Sequence, residues 1–482
     1  MTGSQPTDPT TPKPTPKPAP GAARTFTRRT FLGTGVATAA ALSLPATARP
    51  ARQPEIIRPR RAHNLIFLVA DGMSTGTLTL ADMLLQHTQD RRSRWWQLLA
   101  QPGARRSMID TASANSLVTD SAAAATAWGI GERVFNGAIG TATDGRRPEP
   151  ILHRAKRAGK ATGLVTTCTI SHATPAGWAC NIEKGRSDEP AIAAQMIERG
   201  YDILLGGGRK YFTDQVIAAN PGYTPVFTRQ QLLAANTPPD SRLVGVFART
   251  QMDFEVERTD QPSLAEMATG AIERLSAHPQ GFVMQIEGGR VDHAAHANDA
   301  GALVHDQIAF DQALGVALDF AQSRDDTLVV TTTDHANANP GLTEYGATGY
   351  KRFLSLADRA HSFEWINAQF EPGVSTADDY RRIILEATGV ELANEELATV
   401  TRWREGEPVI PFRSADKSYG PLGSVLANHC AVAFISGNHT ADFVEQTAIG
   451  PGAERMPPMM RINETNAVLA DALDLPPALK SI

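Results

Sequence analysis

Four short runs of this chain are apolar or β-branched along most of their length, and each ends in a polar cluster: "HNLIFLVADGMS", "ATGLVTTCTI", "GFVMQIEGG" and "DTLVVTTTDH". A strand with one wet face alternates apolar and polar residues, so continuous runs like these predict strands buried on both faces. Helical patterns such as "EPILHRAKRAGK" and "SLAEMATGAIERLSAH" lie between them. That order predicts an α/β fold, a three-layer α/β/α sandwich around a large, mostly parallel sheet. Ligands of such sheets bind beyond the carboxyl ends of the strands. Asp71, the Thr174 region, Glu287 and Asp334 all fall there, so the pattern predicts that they share one rim. Two stretches, 209–262 and 340–425, fit the pattern poorly and read as insertions outside the main sheet, forming a smaller peripheral cap.

Chemistry-bearing residues concentrate in the same segments. In "IEGGRVDHAAHAND", Asp292 and His296 are four apart and share a helix face, a spacing that suits one metal ion. Glu287 precedes them at a strand end, and His293 adds an imidazole. "TTTDHANAN" sets Asp334 and His335 side by side, and "SGNHTADF" supplies His439. Carboxylates mixed with imidazoles point to zinc-type ligation, with room for an oxygen-bound magnesium. In "VTDSAAAATAW", Ser121 follows Asp120 at a helix start with no histidine nearby in sequence. The segment also reads simply as a capped helix. The two readings are compatible, because a helix N-terminus favours anions.

With "LVADGMS", "VTDSAAAATAW", "FNGAIG", "SHATPAG", "LLGGGRKYF", "EGGRVDHAAHAND", "TTTDHA" and "SGNHTADF" in view, the chain resembles an alkaline phosphatase from about Asn64 to beyond His439. The resemblance implies that Asp71, Asp334 and His335 hold one zinc ion, which contacts Ser121. It implies that Asp292, His296 and His439 hold a second. Asp71 would bridge to a magnesium site completed by Thr174 and Glu287, with His172 and His293 close by; histidines there leave zinc an alternative third ion. Ser121 would attack phosphate monoesters, Arg186 would grip the phosphate oxygens and Asp120 would orient Arg186. The bare alanines after Ser121 would keep the helix start open to an anion. Asn337 stands where many members carry a histidine, which implies looser ligand orientation. Family members are often homodimers. A phosphodiesterase on the same scaffold and a non-catalytic metal- or phosphate-binding protein are the alternatives.

The first 48 residues are read apart from the catalytic chain, 49–482. "PTDPTTPKPTPKPAPG" cannot build a core, and "TRRTFLGTGVATAAALSLPATA" pairs Arg28 with Arg29 before a mildly apolar run and a small-residue exit. This predicts recognition by the twin-arginine export machinery and a periplasmic or extracellular destination. Of the net charge of −5, these residues contribute +4, leaving −9 on the remainder. An acidic body excludes a general nucleic-acid binder. Three cysteines, Cys168, Cys180 and Cys430, match no metal-finger spacing, and Cys168 reads as a small buried side chain. "GGGRK" lacks the spacing of a nucleotide loop and reads as a turn. His153, His361 and His429 read as structural.

Overall fold

In the computed structural model, β1 (Asn64–Val69) is buried at every position and its side chains separate with the two-residue strand period. Leu65, Phe67 and Val69 enter one apolar cluster with Trp128 and Trp178; Ile66 and Leu68 enter another with Trp95 and Phe310. Two cores on opposite faces of one strand define a three-layer α/β/α sandwich. Each such large apolar side chain stabilises the fold by roughly 1.5–3 kcal/mol. The structure describes residues 61–235, 241–370 and 376–482, all within the compact unit Arg58–Ile482. The export segment at 1–48 lies outside the described residues.

The further strands are β2 (Arg105–Asp110), β3 (Ala161–Thr169), β4 (Ile203–Gly207), β5 (Tyr223–Val226), β6 (Arg242–Val246), β7 (Phe282–Glu287), β8 (Thr327–Thr332), β9 (Val444–Ile449) and β10 (Met459–Arg461). They form one ten-stranded sheet in the order β10-β2-β9-β8-β1-β7-β3-β4-β6-β5. Only β9 runs antiparallel to its neighbours, β2 and β8. The carboxyl ends of β1, β3, β7 and β8 therefore meet on one rim, and the amino end of β9 joins them.

The expectation that 209–262 lies outside the sheet is corrected: this stretch supplies β5 and β6. Both strands are short and carry residues that disguise them. Pro225 is tolerated because β5 is the edge strand, where no ladder donor is needed. Gly245 is required because a Cβ there would lie 2.5 Å from the Phe247 ring. The stretch 340–425 contributes none of the ten strands. Its helices, among them Phe363–Gln369, Ala377–Thr388 and Asn394–Arg404, bury a core of their own around Ile366, Ile384, Val400 and Leu422. The expected turn at Gly206–Gly208 starts later, since Gly206 and Gly207 finish β4 and only Gly208 has a positive φ. Among the described residues no helix is long and apolar enough to cross a membrane, and all three cysteines are buried and unpaired.

Two helices set the rim. Helix α1 (Ser121–Ile130) starts under the Asp120 carboxylate, which accepts from Ala123 N at 2.9 Å, and ends at Gly131 with φ 77°. All ten of its residues are buried. Helix α2 (Ala173–Ala179) crosses it so closely that a Cβ on Gly129 would meet the Gly177 carbonyl oxygen at 2.1 Å. The alanines thus serve helix–helix contact. They are not a bare surface held open for an anion.

Candidate active site

Each rim element delivers its side chain for a local reason. Asp71 follows β1, and Gly72 beyond it turns with φ +69°; a Cβ there would sit 2.5 Å from Asp292 Oδ1. Glu287 closes β7, and Asp334 and His335 follow β8. Asp292 and His296 lie one turn apart on α3 (Arg290–Ala297). His439 pairs with Asn337 in a two-residue antiparallel ladder just ahead of β9.

The chain thereby brings Ser121 and six of the eight expected ligands into contact. Ser121 Oγ lies 3.2 Å from His335 Nε2. His335 Nε2 lies 3.0 Å from Asp334 Oδ2 and 3.7 Å from Asp71 Oδ1. The His335 and His439 rings stack with centroids 3.6 Å apart. His439 Nε2 is 2.9 Å from His296 Nε2 and 3.5 Å from Asp292 Oδ1, and His296 Nε2 is 3.4 Å from Asp292 Oδ2. Ligands about 2.0–2.1 Å from a tetrahedral ion are separated by about 3.3 Å, close to these spacings. The remaining two adjoin Asp71 and β3: Thr174 Oγ1 donates to Asp71 Oδ2 at 3.2 Å, and Glu287 Oε2 accepts from Thr166 Oγ1 at 2.5 Å.

The donor set fits cations. Asp71 Oδ1, Asp334 Oδ2, Glu287 Oε1 and His335 Nδ1 are buried without a hydrogen-bond partner. A buried polar atom left so is costly unless something else satisfies it. Electrostatics argue the same way. Burial, then Asp334 and Asp292, push the Asp71 carboxyl well above the usual range. Burial raises Glu287 to about 7. Asp292 and Asp334 are lowered against their burial, Asp292 by His296 and His439 and Asp334 by His335. Burial pulls His439 down to about 4. So dense an acidic cluster calls for positive charge, and divalent ions supply it.

Arg186 reaches the same rim. Its Nη1 donates to Asp120 Oδ2 at 3.0 Å, and its Nη2 lies 3.3 Å from His172 Nε2. Asp120 also accepts from Gly137 N at 3.0 Å, so one carboxylate fixes the α1 start, the 137 loop and the guanidinium. Burial, then Arg186, lowers His172 to about 4. His293 makes a 2.7 Å contact with Arg290 through Nδ1 and lies 4.0 Å from Cys168 Sγ through Nε2. The expected loosening at Asn337 is corrected, because its amide donates to Asp292 Oδ1 at 2.7 Å and holds that ligand in place. Cys168 is buried on β3 as expected, but sequence reasoning missed the Asn337 contact and the approach of the Cys168 sulfur to His293 and Glu287, two residues along β3 from Thr166. The strand period was the available signal. His153 and His429 are tied to Glu149 and Glu396, and His361 stacks on Trp365.

The alkaline phosphatase family profile matches residues 62–475. The chain belongs to the alkaline phosphatase family. Alkaline phosphatase 3 of Bacillus subtilis is 30% identical over 81% of this chain and 84% of its own length. Alkaline phosphatase 4 of the same organism is 30% identical over 70% and 73%. The crystal structure of the Thermus thermophilus alkaline phosphatase superposes with a TM-score of 0.80 at 32% identity, covering 87% of this chain and 92% of that one. The chain is an enzyme of this family, a phosphoric monoester hydrolase with clustered metal-binding residues.

Proposed function

We propose that this chain is an exported alkaline phosphatase that hydrolyses phosphate monoesters through a phosphoserine at Ser121, using two zinc ions and a third cation, magnesium or zinc. One observation carries the reading. The hydroxyl of Ser121 opens, at 3.2 Å from His335 Nε2, onto a cluster in which one oxygen each of Asp71, Asp334 and Glu287 is buried without a hydrogen-bond partner. Asp71, Asp334 and His335 would hold one ion, Asp292, His296 and His439 the second, and Asp71, Thr174 and Glu287 the third. When bound, such ions lower the pKa of a hydroxyl or water and neutralise the transferring phosphoryl group.

The protein's own groups do the rest. Ser121 attacks phosphorus, the ester oxygen leaves on the opposite side, and water then cleaves the phosphoserine to regenerate the hydroxyl. Arg186 binds two phosphoryl oxygens through its planar fork, and Asp120 holds that fork in register. The α1 start adds favourable dipole at the developing charge. Residues 1–48 supply the twin-arginine address that carries the folded chain across the membrane.

A chromogenic phosphate monoester, a diester and a sulfate, each assayed with and without chelator, test the reading. Monoester turnover abolished by chelator, restored by zinc and lost in Ser121→Ala is the expected result. Diester preference would replace it with a phosphodiesterase, and binding without turnover with a non-catalytic protein.

A further inference from the structure

Beside the acidic cluster lies a sulfur that the proposed reaction does not use. Cys168, on β3, is fully buried. Its Sγ, a Glu287 carboxylate oxygen and a His172 imidazole nitrogen all lie within 4.8 Å of one another. His293 Nε2 lies 4.0 Å from the same sulfur. Glu287 is itself fully buried, and its Oε1 has no hydrogen-bond partner. Gly289 shows where these atoms converge: a Cβ there would sit 2.5 Å from Cys168 Sγ and 3.1 Å from Glu287 Oε1. Any side chain at 289 would fill the space that the sulfur and the orphan oxygen share.

We propose that Cys168 is a thiolate ligand of the third cation, together with Glu287, in a site that takes a thiophilic divalent ion such as zinc or cobalt in preference to magnesium. This rests on the metal-dependent reading above. Magnesium demands a near-octahedral shell of oxygens, which Asp71, Thr174 and Glu287 would offer. A sulfur, a carboxylate and flanking imidazoles suit a smaller, softer coordination sphere. Ligands of a tetrahedral zinc ion stand about 3.5 Å apart when one is sulfur, so the side chains close by about 1 Å around the ion. The thiol S–H bond breaks on binding, its proton goes to solvent and the sulfur lone pair becomes the metal bond. Zinc and cobalt(II) are not oxidised or reduced in this step.

The test uses the full chain loaded with zinc or with cobalt. X-ray absorption at the zinc edge of the wild-type protein should show about one sulfur per three zinc ions at about 2.3 Å. The cobalt protein should show a near-ultraviolet sulfur-to-cobalt charge-transfer band that survives excess magnesium. The band should be lost in Cys168→Ser and kept in Cys180→Ser and Cys430→Ser. A zinc shell of nitrogen and oxygen alone, or a band bleached by magnesium, overturns the proposal. Chelator-sensitive monoester turnover with no sulfur shell would sink this inference and leave the phosphatase reading standing. Absence of both turnover and metal uptake would sink the phosphatase reading itself.

Discussion

Replacing Gly177 by alanine tests whether the approach of α1 to α2 holds the nucleophile. A Cβ at 177 would lie 2.6 Å from Thr126 N and 2.7 Å from Ala125 C, both backbone atoms of the facing helix, which no rotamer change can move. Ordinary contact begins near 3.4 Å, so the helices must part by about 0.8 Å, the difference between 3.4 and 2.6. Overpacking of this kind costs about 1–3 kcal/mol, and a backbone collision belongs at the upper end. Alanine returns about 1 kcal/mol of helix propensity. The net loss is about 2 kcal/mol, read as a fall in the urea midpoint at unchanged m-value. Ser121 starts α1 and Thr174 lies in α2, so the same displacement shifts the nucleophile against the Asp71 corner. A misplacement near 1 Å lowers kcat by up to about 100-fold.

Gly270 is the internal control for this argument. It too sits within a helix, Leu264–Leu275, yet among the described residues its added Cβ would meet only Arg274 Nη1 at 3.6 Å and Leu232 Cδ1 at 4.0 Å. Gly270→Ala should stabilise by up to about 1 kcal/mol and leave kcat alone. If Gly177→Ala keeps the wild-type midpoint and kcat while Gly270→Ala behaves as stated, the close helix contact does not position Ser121 and the reasoning fails.

Three further changes read separate parts of the structure. Asp120→Asn keeps a good helix cap but loses the charge that holds Arg186; stability should change little, while inhibition by inorganic phosphate weakens roughly tenfold, as measured by its inhibition constant. Asn337→Ala removes the 2.7 Å bond to Asp292 and should lower zinc retention about 10- to 100-fold in dialysis against a competing chelator. Glu149→Gln addresses pH: burial raises this carboxyl, but bonds from Arg157 and Leu479 N outweigh it and the net shift is downward. A depressed carboxylate stabilises above its unfolded pKa and loses that contribution as pH falls through its folded value. The glutamine variant should therefore be less stable by about 1–3 kcal/mol at neutral pH, with the gap to wild type closing under acid.

The central sheet was legible because burial on both faces leaves a continuous apolar trace, and β1, β3, β7 and β8 carry it. Their polar exits located Asp71, Glu287 and Asp334 without any structure. Edge strands leave no such trace. β5 is an edge strand, so Pro225 could enter and hide it, and Gly245 interrupts β6 to make room for the ring of Phe247 two residues on. The alanines of α1 were misread because their smallness meets a partner helix roughly fifty residues away, and only the fold reveals that helix. The contacts of Cys168 and Asn337 escaped for a similar reason: each reaches a side chain more than forty positions distant.

His439 shows why chain direction matters as much as strand order. Every other rim group follows a strand or lies on a helix beyond one, and parallel strands deliver such groups to a common edge. His439 instead precedes its strand, β9. Were β9 parallel to β8, the residues before it would emerge at the opposite end of the sheet. Six residues at about 3.3 Å each would put them about 20 Å from the rim. Because β9 runs the other way, its amino end arrives where β8 ends, and the His439–Asn337 ladder brings the imidazole 2.9 Å from His296. A single reversed strand thus closes a ligand set that parallel strands alone would leave one imidazole short.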